Sequence, residues 1–350
     1  MHRRFVALLT WMALVMLAAA CTAPAAQPPA REPAAAQPKD LGTVQIAVPH
    51  RVFFDVSAPL YVGEEKGIFQ AEGLKLEPTF TAGGAANLQG ALTGEIDIVI
   101  GTGTSGVYQA FSRNAPLRII SAQMTGTPDV IWYAQRDSPV NGLRDLNGRK
   151  VAFSNRGSST HLMVLTMNDI LRQQGGTGVE EVPTGSPPDT YTAVRTNQVD
   201  AGWTALPFFL DEVEKGNLKI VVRGSELTPL KDLTVRVFVV NSDFAQRNPE
   251  AVSAFLRGWQ KSLDYILAYR AEAIGIWKRR AELQEPDHLL NQVLDFYSRE
   301  NVQVGPVKGI EENNRLAVQF GLLDQPLTQQ QLDTLITNQF LPKQVGGPEY

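Results

Sequence analysis

Three consecutive hydroxyl residues, Ser158, Ser159 and Thr160, follow a short apolar strand and begin a helix. The free N–H groups and partial positive charge at a helix N-terminus attract anions. Serine and threonine add hydroxyl donors with little bulk, so an oxyanion can approach the backbone closely. The segment therefore predicts contacts with the anionic group of a ligand. One alternative stays open, since Ser158 or Ser159 can simply cap the helix.

Polar and small residues also follow the other predicted strands. His50 and Arg51 come after the first strand, Gly83 and Gly84 after the second, and residues 101–105 after a later one. In open α/β sheets, ligands bind at the carboxyl ends of the strands. Arg51 is either a bidentate donor to a carboxylate or sulfonate, or a solvated surface arginine. The pattern indicates a binding site assembled from several loops.

The common catalytic motifs are missing from the sequence. It contains no Gly-x-Ser-x-Gly, P-loop or His-Glu-x-x-His pattern. His50, His161 and His288 are scattered, and the single cysteine, Cys21, has no second cysteine to pair with. The sequence therefore has too few cysteines for a disulfide and few residues that could bind a structural metal. We expect no cofactor and no metal, and a binding protein rather than an enzyme.

Cys21 ends a segment that is typical of export signals. Arg3 and Arg4 precede an apolar run over 5–20, and small residues come directly before the cysteine. This layout predicts a signal peptide over 1–20. It resembles a bacterial lipoprotein signal, in which the cysteine is lipidated and becomes the mature N-terminus. Ordinary secretion is the alternative, and both place the folded part outside the cytoplasm.

The segment after the cysteine is unsuited to a packed core. Residues 22–40 contain five prolines and seven alanines and no large apolar side chain. We therefore expect residues 21–42 to form the lipidated cysteine and an extended tether, although a pro-segment would have the same composition. Without residues 1–20, 30 basic and 36 acidic residues remain, a formal charge of −6. This mildly acidic balance argues against a nucleic-acid partner.

From residue 43 onward, short apolar strands alternate with helical stretches. The alternation indicates an α/β architecture with a largely parallel sheet, and the pattern restarts near residue 135 as a second unit. A long helix is predicted from Pro249, with Asn248 at its N-cap. Its apolar stripe, predicted to be core, consists of Val252, Phe255, Leu256, Trp259 and Leu263. The predicted strands cover 44–48, 74–80, 96–100, 117–122, 130–134, 150–153, 220–222 and 235–240, and the shorter predicted helices cover 58–69, 88–93 and 159–173.

Several blocks of the sequence resemble one family in the same order. The chain is similar to the sulfonate, nitrate and taurine substrate-binding proteins of ABC importers, whose relatives include pyrimidine-binding proteins of thiamine-precursor uptake. Together the blocks are specific, whereas any single block is weak. The resemblance extends over about 43–260. The blocks that support it are 59–69, 72–77, 91–98, 143–152, 157–160 and 198–203.

The resemblance implies a type II periplasmic binding protein fold. Two α/β lobes would be joined by two crossing strands and would close over a ligand in the cleft between them. Lobe one would comprise 43–133 plus 240–350, and lobe two would comprise 134–239. The crossings would lie near Trp132–Arg136 and at Val235–Val240.

The resemblance also implies which residues line the cleft. The loop that contains His50 and Phe53 is bulkier than in typical sulfonate binders. It therefore favours a larger organic ligand with an aromatic part over nitrate. The implied contacts from lobe one are His50, Arg51, Phe53, Gly83, Gly84, Thr102, Gly103, Thr104 and Ser105, and those from lobe two are Gly157, Ser158, Ser159, Thr160, Trp203 and Thr204.

The function implied by the resemblance is capture of a small molecule for import. The ligand would be an organic anion, such as a sulfonate or carboxylate, or a heterocycle such as a thiamine pyrimidine precursor. The expected partner is an ABC permease, and the expected state is a monomer held at the membrane only by its lipid. A ligand sensor for a membrane kinase is the first alternative. An enzyme on the same fold is the second.

Overall fold

The computed structural model describes residues 39–81 and 83–343. The predicted signal segment, Cys21 and all of the tether before Lys39 lie outside the described residues. Within the described part, no helix combines the length and apolar character needed to cross a membrane. The elements form two α/β lobes, each built on its own sheet.

The first lobe contains both ends of the described chain. Its strands are β1 (Gly42–Val48), β2 (Leu74–Phe80), β3 (Ile98–Gly103), β4 (Leu117–Thr125) and β10 (Thr234–Asn241). Its helices are α1 (Phe54–Glu65), α2 (Ile68–Ala71), α3 (Gly84–Thr93), α4 (Thr104–Ser112), α8 (Ser242–Arg247), α9 (Pro249–Ala268), α10 (Arg270–Ala281), α11 (Asp287–Val293), α12 (Arg299–Val302), α13 (Ile310–Gln319) and α14 (Gln329–Leu335).

The second lobe is formed by the middle of the chain. Its strands are β5 (Val130–Gln135), β6 (Lys150–Phe153), β7 (Glu180–Pro183), β8 (Gly202–Ala205) and β9 (Leu218–Arg223). Its helices are α5 (Ser159–Gln173), α6 (Pro187–Arg195) and α7 (Leu210–Glu214).

The two lobes share one strand order. The first sheet runs β2-β1-β3-β10-β4. In the second lobe, β8-β5-β9 and β6-β7 are linked by a parallel bridge between Val151 and Ala201, next to the start of β8. In both lobes, the strand that enters from the other lobe lies antiparallel between the third and fourth strands. The sheets are therefore mixed, because these two incoming strands depart from the largely parallel sheet that the sequence predicts.

The connections between the lobes differ from the predicted crossings. Residues 126–129 lead from β4 to β5, and residues 224–233 lead from β9 to β10. The predicted lobe boundaries at 133/134 and 239/240 fall inside β5 and β10, because each of these strands completes a sheet in the lobe it enters. The connections lie side by side, since Thr127 Oγ1 donates to the Gly224 carbonyl at 2.7 Å and the Gly126 N–H donates to the Leu233 carbonyl at 2.8 Å.

The long helix α9 packs on the first sheet through the predicted stripe. All five stripe residues are buried. Phe238 of β10 contacts Phe255 and Trp259 with ring centroids 5.7 and 5.2 Å apart. Strands β3 and β10 are buried along their whole length, as expected for strands covered on both faces. The core prediction for this helix is confirmed.

Close packing of the two connections predicts a specific steric effect. A Cβ at Gly224 would collide with the Thr127 carbonyl oxygen and lie 3.0 Å from the Val130 carbonyl oxygen. We expect Gly224→Ala to lower the free energy of unfolding by about 1–3 kcal/mol, because backbone atoms must shift. Gly142→Ala, which meets nothing within 4 Å, is the control. Equal stability of the two variants in chemical denaturation would contradict the packing described.

Candidate functional site

The lobes meet through their backbones where α4 and α5 begin. A Cβ on Gly103 would lie 2.8 Å from both the Gly157 carbonyl oxygen and the Ser159 amide nitrogen. A Cβ on Gly106 would lie 2.5 Å from the Gly157 carbonyl oxygen. The absence of side chains at these glycines therefore lets the two helix N-termini approach each other. Gly103 and Gly157 were predicted site residues, whereas the role of Gly106 was missed.

The predicted hydroxyl residues at the start of α5 bond mainly to one another. Ser158 Oγ accepts the N–H of His161 and caps the helix. The hydroxyls of Ser154, Ser158 and Thr160 lie 2.8–3.0 Å from each other, and Thr160 Oγ1 also accepts the Ser154 N–H. The structure thus shows the capping arrangement for Ser158. Among the described residues, Ser159 is the member of the predicted trio without a hydroxyl partner.

Three of the predicted site residues are threonines whose hydroxyls donate hydrogen bonds to backbone carbonyls of their own lobe. Thr102 Oγ1 donates to the Gly84 carbonyl at 2.8 Å and joins the loops after β2 and β3. Thr104 Oγ1 donates to the Thr234 carbonyl at 2.7 Å, and Thr204 Oγ1 donates to the Ala205 carbonyl at 3.2 Å. These side chains hold the strand ends in place.

Aromatic rings from both lobes form a second contact, here called the aromatic cluster: His50, Phe53, Trp203 and Phe208. The His50 ring stacks on Phe53 at 4.7 Å and meets Phe208 edge-on at 5.1 Å. Phe53 also meets Trp203 at 6.3 Å. His50, Phe53 and Trp203 were predicted site residues, and Phe208 was missed because it lies in a loop four residues beyond Thr204. The cluster therefore joins the two lobes through contacts between aromatic rings.

His50 presents a neutral ring to this cluster. Burial, reinforced by the charge of Arg51, lowers the pKa of His50 to about 4, so the imidazole is neutral at neutral pH. Its Nδ1 accepts the Val52 N–H at 3.1 Å. The proton of the neutral ring therefore lies on Nε2, which is a hydrogen-bond donor.

Two buried donors in the site have no partner among the described residues. They are the Trp203 indole Nε1 and the Ser105 hydroxyl. Trp203 is 3% exposed and Ser105 is 2% exposed. Buried polar groups are almost always hydrogen-bonded, so such atoms mark positions where a ligand acceptor or a water molecule binds. Both residues were predicted to line the cleft.

Arg51 is held at the surface. Its Nη2 donates to Glu282 Oε1 at 3.1 Å, and both side chains are about half exposed or more. Its carbonyl accepts the Tyr61 hydroxyl. The sequence left open whether Arg51 binds a ligand or is a solvated surface arginine. This geometry matches the surface arginine, because the guanidinium is exposed and already paired with Glu282.

A charged cluster is buried beside the site, and sequence analysis missed it. Arg236 of β10 donates to Asp55 Oδ2 at 3.1 Å and to Asp129 Oδ1. Asp55 Oδ2 also accepts from Gln123 Nε2 at 3.0 Å. In the sequence, the cluster could have been suspected only from Asp55, the single charge in the apolar run 53–56, and from Arg236, the single charge in the apolar run 235–240. Within the described chain, no group of three or more acidic, histidine or cysteine residues is arranged to hold a metal.

Burial changes the acidity of this cluster. Desolvation raises the pKa of Asp55 to about 6 despite the opposing attraction of Arg236. The two carboxylates raise the pKa of Arg236, which stays charged. Desolvation likewise raises the pKa of the Tyr297 hydroxyl, which stays protonated.

The chain belongs to the NMT1/THI5-like family, whose model matches residues 55–273, more than half of the chain. The putative aliphatic sulfonates-binding protein of Escherichia coli is 26% identical over 218 residues, which is 62% of this chain and 60% of that protein. A 4-amino-5-hydroxymethyl-2-methylpyrimidine phosphate synthase of Aspergillus parasiticus is 24% identical over 245 residues, with 62% and 64% covered. The chain thus spans less than two thirds of the length of either relative.

The fold is that of periplasmic binding proteins. The crystal structure of the periplasmic aliphatic sulphonate binding protein SsuA from Escherichia coli superposes with a TM-score of 0.67 and 19% sequence identity, covering 88% of this chain and 95% of that chain. The family resemblance and the two-lobed architecture expected from the sequence are confirmed. The curated relatives include both a binding protein and a synthase, so family membership alone does not separate binding from catalysis.

The backbone contact between the lobes predicts the effect of one methyl group. Gly106→Ala places a Cβ against the Gly157 carbonyl and obstructs closure, although alanine favours the helix by about 0.5–1 kcal/mol. We expect about tenfold or greater loss of affinity for any compound that stabilises the wild-type protein, measured by calorimetry. Gly275→Ala, a helical glycine with nothing within 4 Å, should leave affinity unchanged. Equal affinity of both variants would contradict the closure contact.

The raised pKa of Asp55 predicts a pH dependence of stability. Between about pH 4 and pH 6, the folded protein holds a proton that the unfolded chain has lost. The free energy of unfolding should therefore fall as pH rises through this window, by at most about 1.4 kcal/mol per pH unit. Asp55→Asn should abolish this component in denaturant titrations, whereas Asp324→Asn, at an exposed carboxylate, should retain it. An unchanged slope in Asp55→Asn would contradict the assignment.

Proposed function

We propose that this protein is an extracytoplasmic substrate-binding protein of an ABC importer and that its ligand is a small organic molecule with a flat ring. The observation that supports this most directly is the aromatic cluster, which both lobes share and which includes the buried, unpartnered Trp203 N–H. A flat ring that enters between the lobes can stack on these aromatic side chains, and an acceptor on that ring would satisfy the indole. The names of the relatives in the sulfonate-binding group are consistent with capture of a small solute.

Closure supplies the selectivity in this proposal. His50 and Phe53 belong to one lobe, and Trp203 and Phe208 belong to the other. A ligand that touches all four binds only the closed arrangement tightly and shifts the population towards it. No bond needs to be made or broken, so we propose binding without conversion of the ligand.

The charges around the cluster favour a ring over a small anion. Arg51 is paired with Glu282, Arg236 is paired with two carboxylates, and His50 is neutral. The remaining attraction for an anion comes from Ser159, from the exposed Arg156 and from the helix N-termini, which are in backbone contact with each other. Of the ligands implied by the family resemblance, we therefore propose a heterocycle or other ring compound rather than a small aliphatic sulfonate.

Location and partners follow from the N-terminal sequence. We propose that Cys21 is lipidated after removal of residues 1–20 and that residues 22–40 tether the lobes to the membrane surface near a permease. The tether composition and the single cysteine support this arrangement. We propose a monomer, because closure of one chain completes the aromatic cluster.

A ligand panel tests the proposal. Methanesulfonate, benzenesulfonate, benzamide and 4-methylpyrimidine are compared by thermal shift, with ring compounds expected to stabilise the protein and methanesulfonate expected to have no effect. Trp203→Phe keeps a ring but removes the N–H and should weaken the best compound about tenfold. Tyr269→Phe, at an exposed ring, is the control.

Two outcomes would overturn the proposed function. The first is stabilisation by methanesulfonate alone, which would show that the aromatic wall does not select the ligand. The second is chemical conversion of a stabilising compound, followed by NMR, which would show that the protein is an enzyme. Unchanged affinity in Trp203→Phe would show that the indole N–H does not contact the ligand.

A further inference from the structure

Building on the proposed function, we propose that the buried cluster of Asp55, Asp129, Arg236, Gln123 and Tyr297 is a subsite of the cleft that takes a positively charged, N–H-donating group of the ligand. Such a group is an amidinium, an ammonium or a protonated amino-heterocycle. Nothing in the sequence pattern pointed to these residues as a set. The inference rests on their position, their unpartnered atoms and their charge.

The three charged residues each adjoin a different wall of the cleft. Asp55 lies two residues after Phe53 of the aromatic cluster, in the first turn of α1. The Asp129 carbonyl accepts the N–H of Leu206, which follows β8 and precedes the loop of Phe208. Arg236 is the register partner of Gly103, where the lobes touch. The cluster therefore lies beneath the floor of the cleft, between the aromatic wall and the closing contact.

The unpartnered atoms of the cluster are mostly acceptors. Asp55 Oδ1, Asp129 Oδ2 and Gln123 Oε1 have no donor among the described residues, and the Tyr297 hydroxyl and Arg236 Nε have no partner there. Each of these side chains belongs to a residue at least nine-tenths buried. Three acceptors without a donor among the described residues match a group that donates several hydrogen bonds. An amidinium or ammonium group provides these donors.

The net charge of the cluster also favours a cationic ligand group. Two carboxylates and one guanidinium leave a formal charge of −1 in a buried region, where an unbalanced charge is costly. Burial raises the pKa of Asp55 to about 6, and the charge of Asp129 adds a smaller rise. A cationic ligand group would balance the cluster, whereas a carboxylate or sulfonate at this position would be repelled. The tyrosine hydroxyl stays protonated and adds no charge.

Three single-ring probes of similar size test the subsite. Benzamidine is cationic, benzamide is neutral and benzoate is anionic. By calorimetry at neutral pH, we expect benzamidine to bind about tenfold tighter than benzoate, with benzamide between them. Asp129→Asn should weaken benzamidine about tenfold and leave benzamide within about twofold, because only the cationic head loses its partner. Asp324→Asn is the control for loss of a remote carboxylate.

A second variant keeps the test decisive if Asp129→Asn does not fold. Asp55→Asn has nearly the same shape and should reduce the preference for benzamidine over benzoate in the same direction. Circular dichroism and thermal melting establish that each variant is folded before the titrations are compared. A crystal structure with benzamidine should place the amidinium against Asp55 and Asp129.

Several results would contradict the proposed subsite for a cationic group but would not contradict the proposed function. These are benzoate binding as tightly as benzamidine, no benzamidine binding at millimolar concentration, unchanged preference in the asparagine variants, or only water against the two carboxylates in the complex. In each of these cases, the ring panel and Trp203→Phe would still report on the proposed function. Failure of that panel would instead remove the cleft itself as a ring-binding site.

Discussion

The architecture depends on the close approach of two backbones. Gly103 and Gly106 in one lobe face Gly157 in the other at distances that leave no room for a Cβ. Because helices α4 and α5 both begin there, their N-termini are brought together, and the aromatic loops on either side are brought into contact. Any side chain at this point would hold the lobes apart and separate the four rings. The aromatic cluster therefore depends on the close approach of the two lobes.

The site combines an aromatic wall with a buried charged floor. His50 and Trp203 offer N–H donors on the wall, while Asp55 and Asp129 offer acceptors below it. Arg236 joins the floor to both lobes, since it lies just beyond one interlobe connection and bonds to a residue of the other. Hydrogen bonding around this arginine thus links the first turn of α1 to the connections between the lobes.

Sequence periodicity correctly predicted features that depend only on residues close together in the chain. The helix over 159–173 and the core stripe of α9 were predicted correctly, because apolar spacing and capping residues are local properties. The interlobe connections were predicted a few residues late, since strands β5 and β10 are apolar throughout and do not reveal which sheet they join. The cluster around Arg236 was missed because Arg236 is 107 residues from Asp129 and 181 residues from Asp55, and only the folded chain brings these residues together.

The amino-acid sequence by itself determined the alternation of strands and helices, the family and the loops at the strand ends, and it predicts an N-terminal export signal. These follow from short-range patterns and from motif order. Tertiary structure decided that Ser158 and Thr160 bond internally, that Arg51 pairs with Glu282, and that Phe208 completes the aromatic cluster. The physical reason is that a cleft is made by two lobes, and contacts across it are set by packing rather than by proximity along the chain.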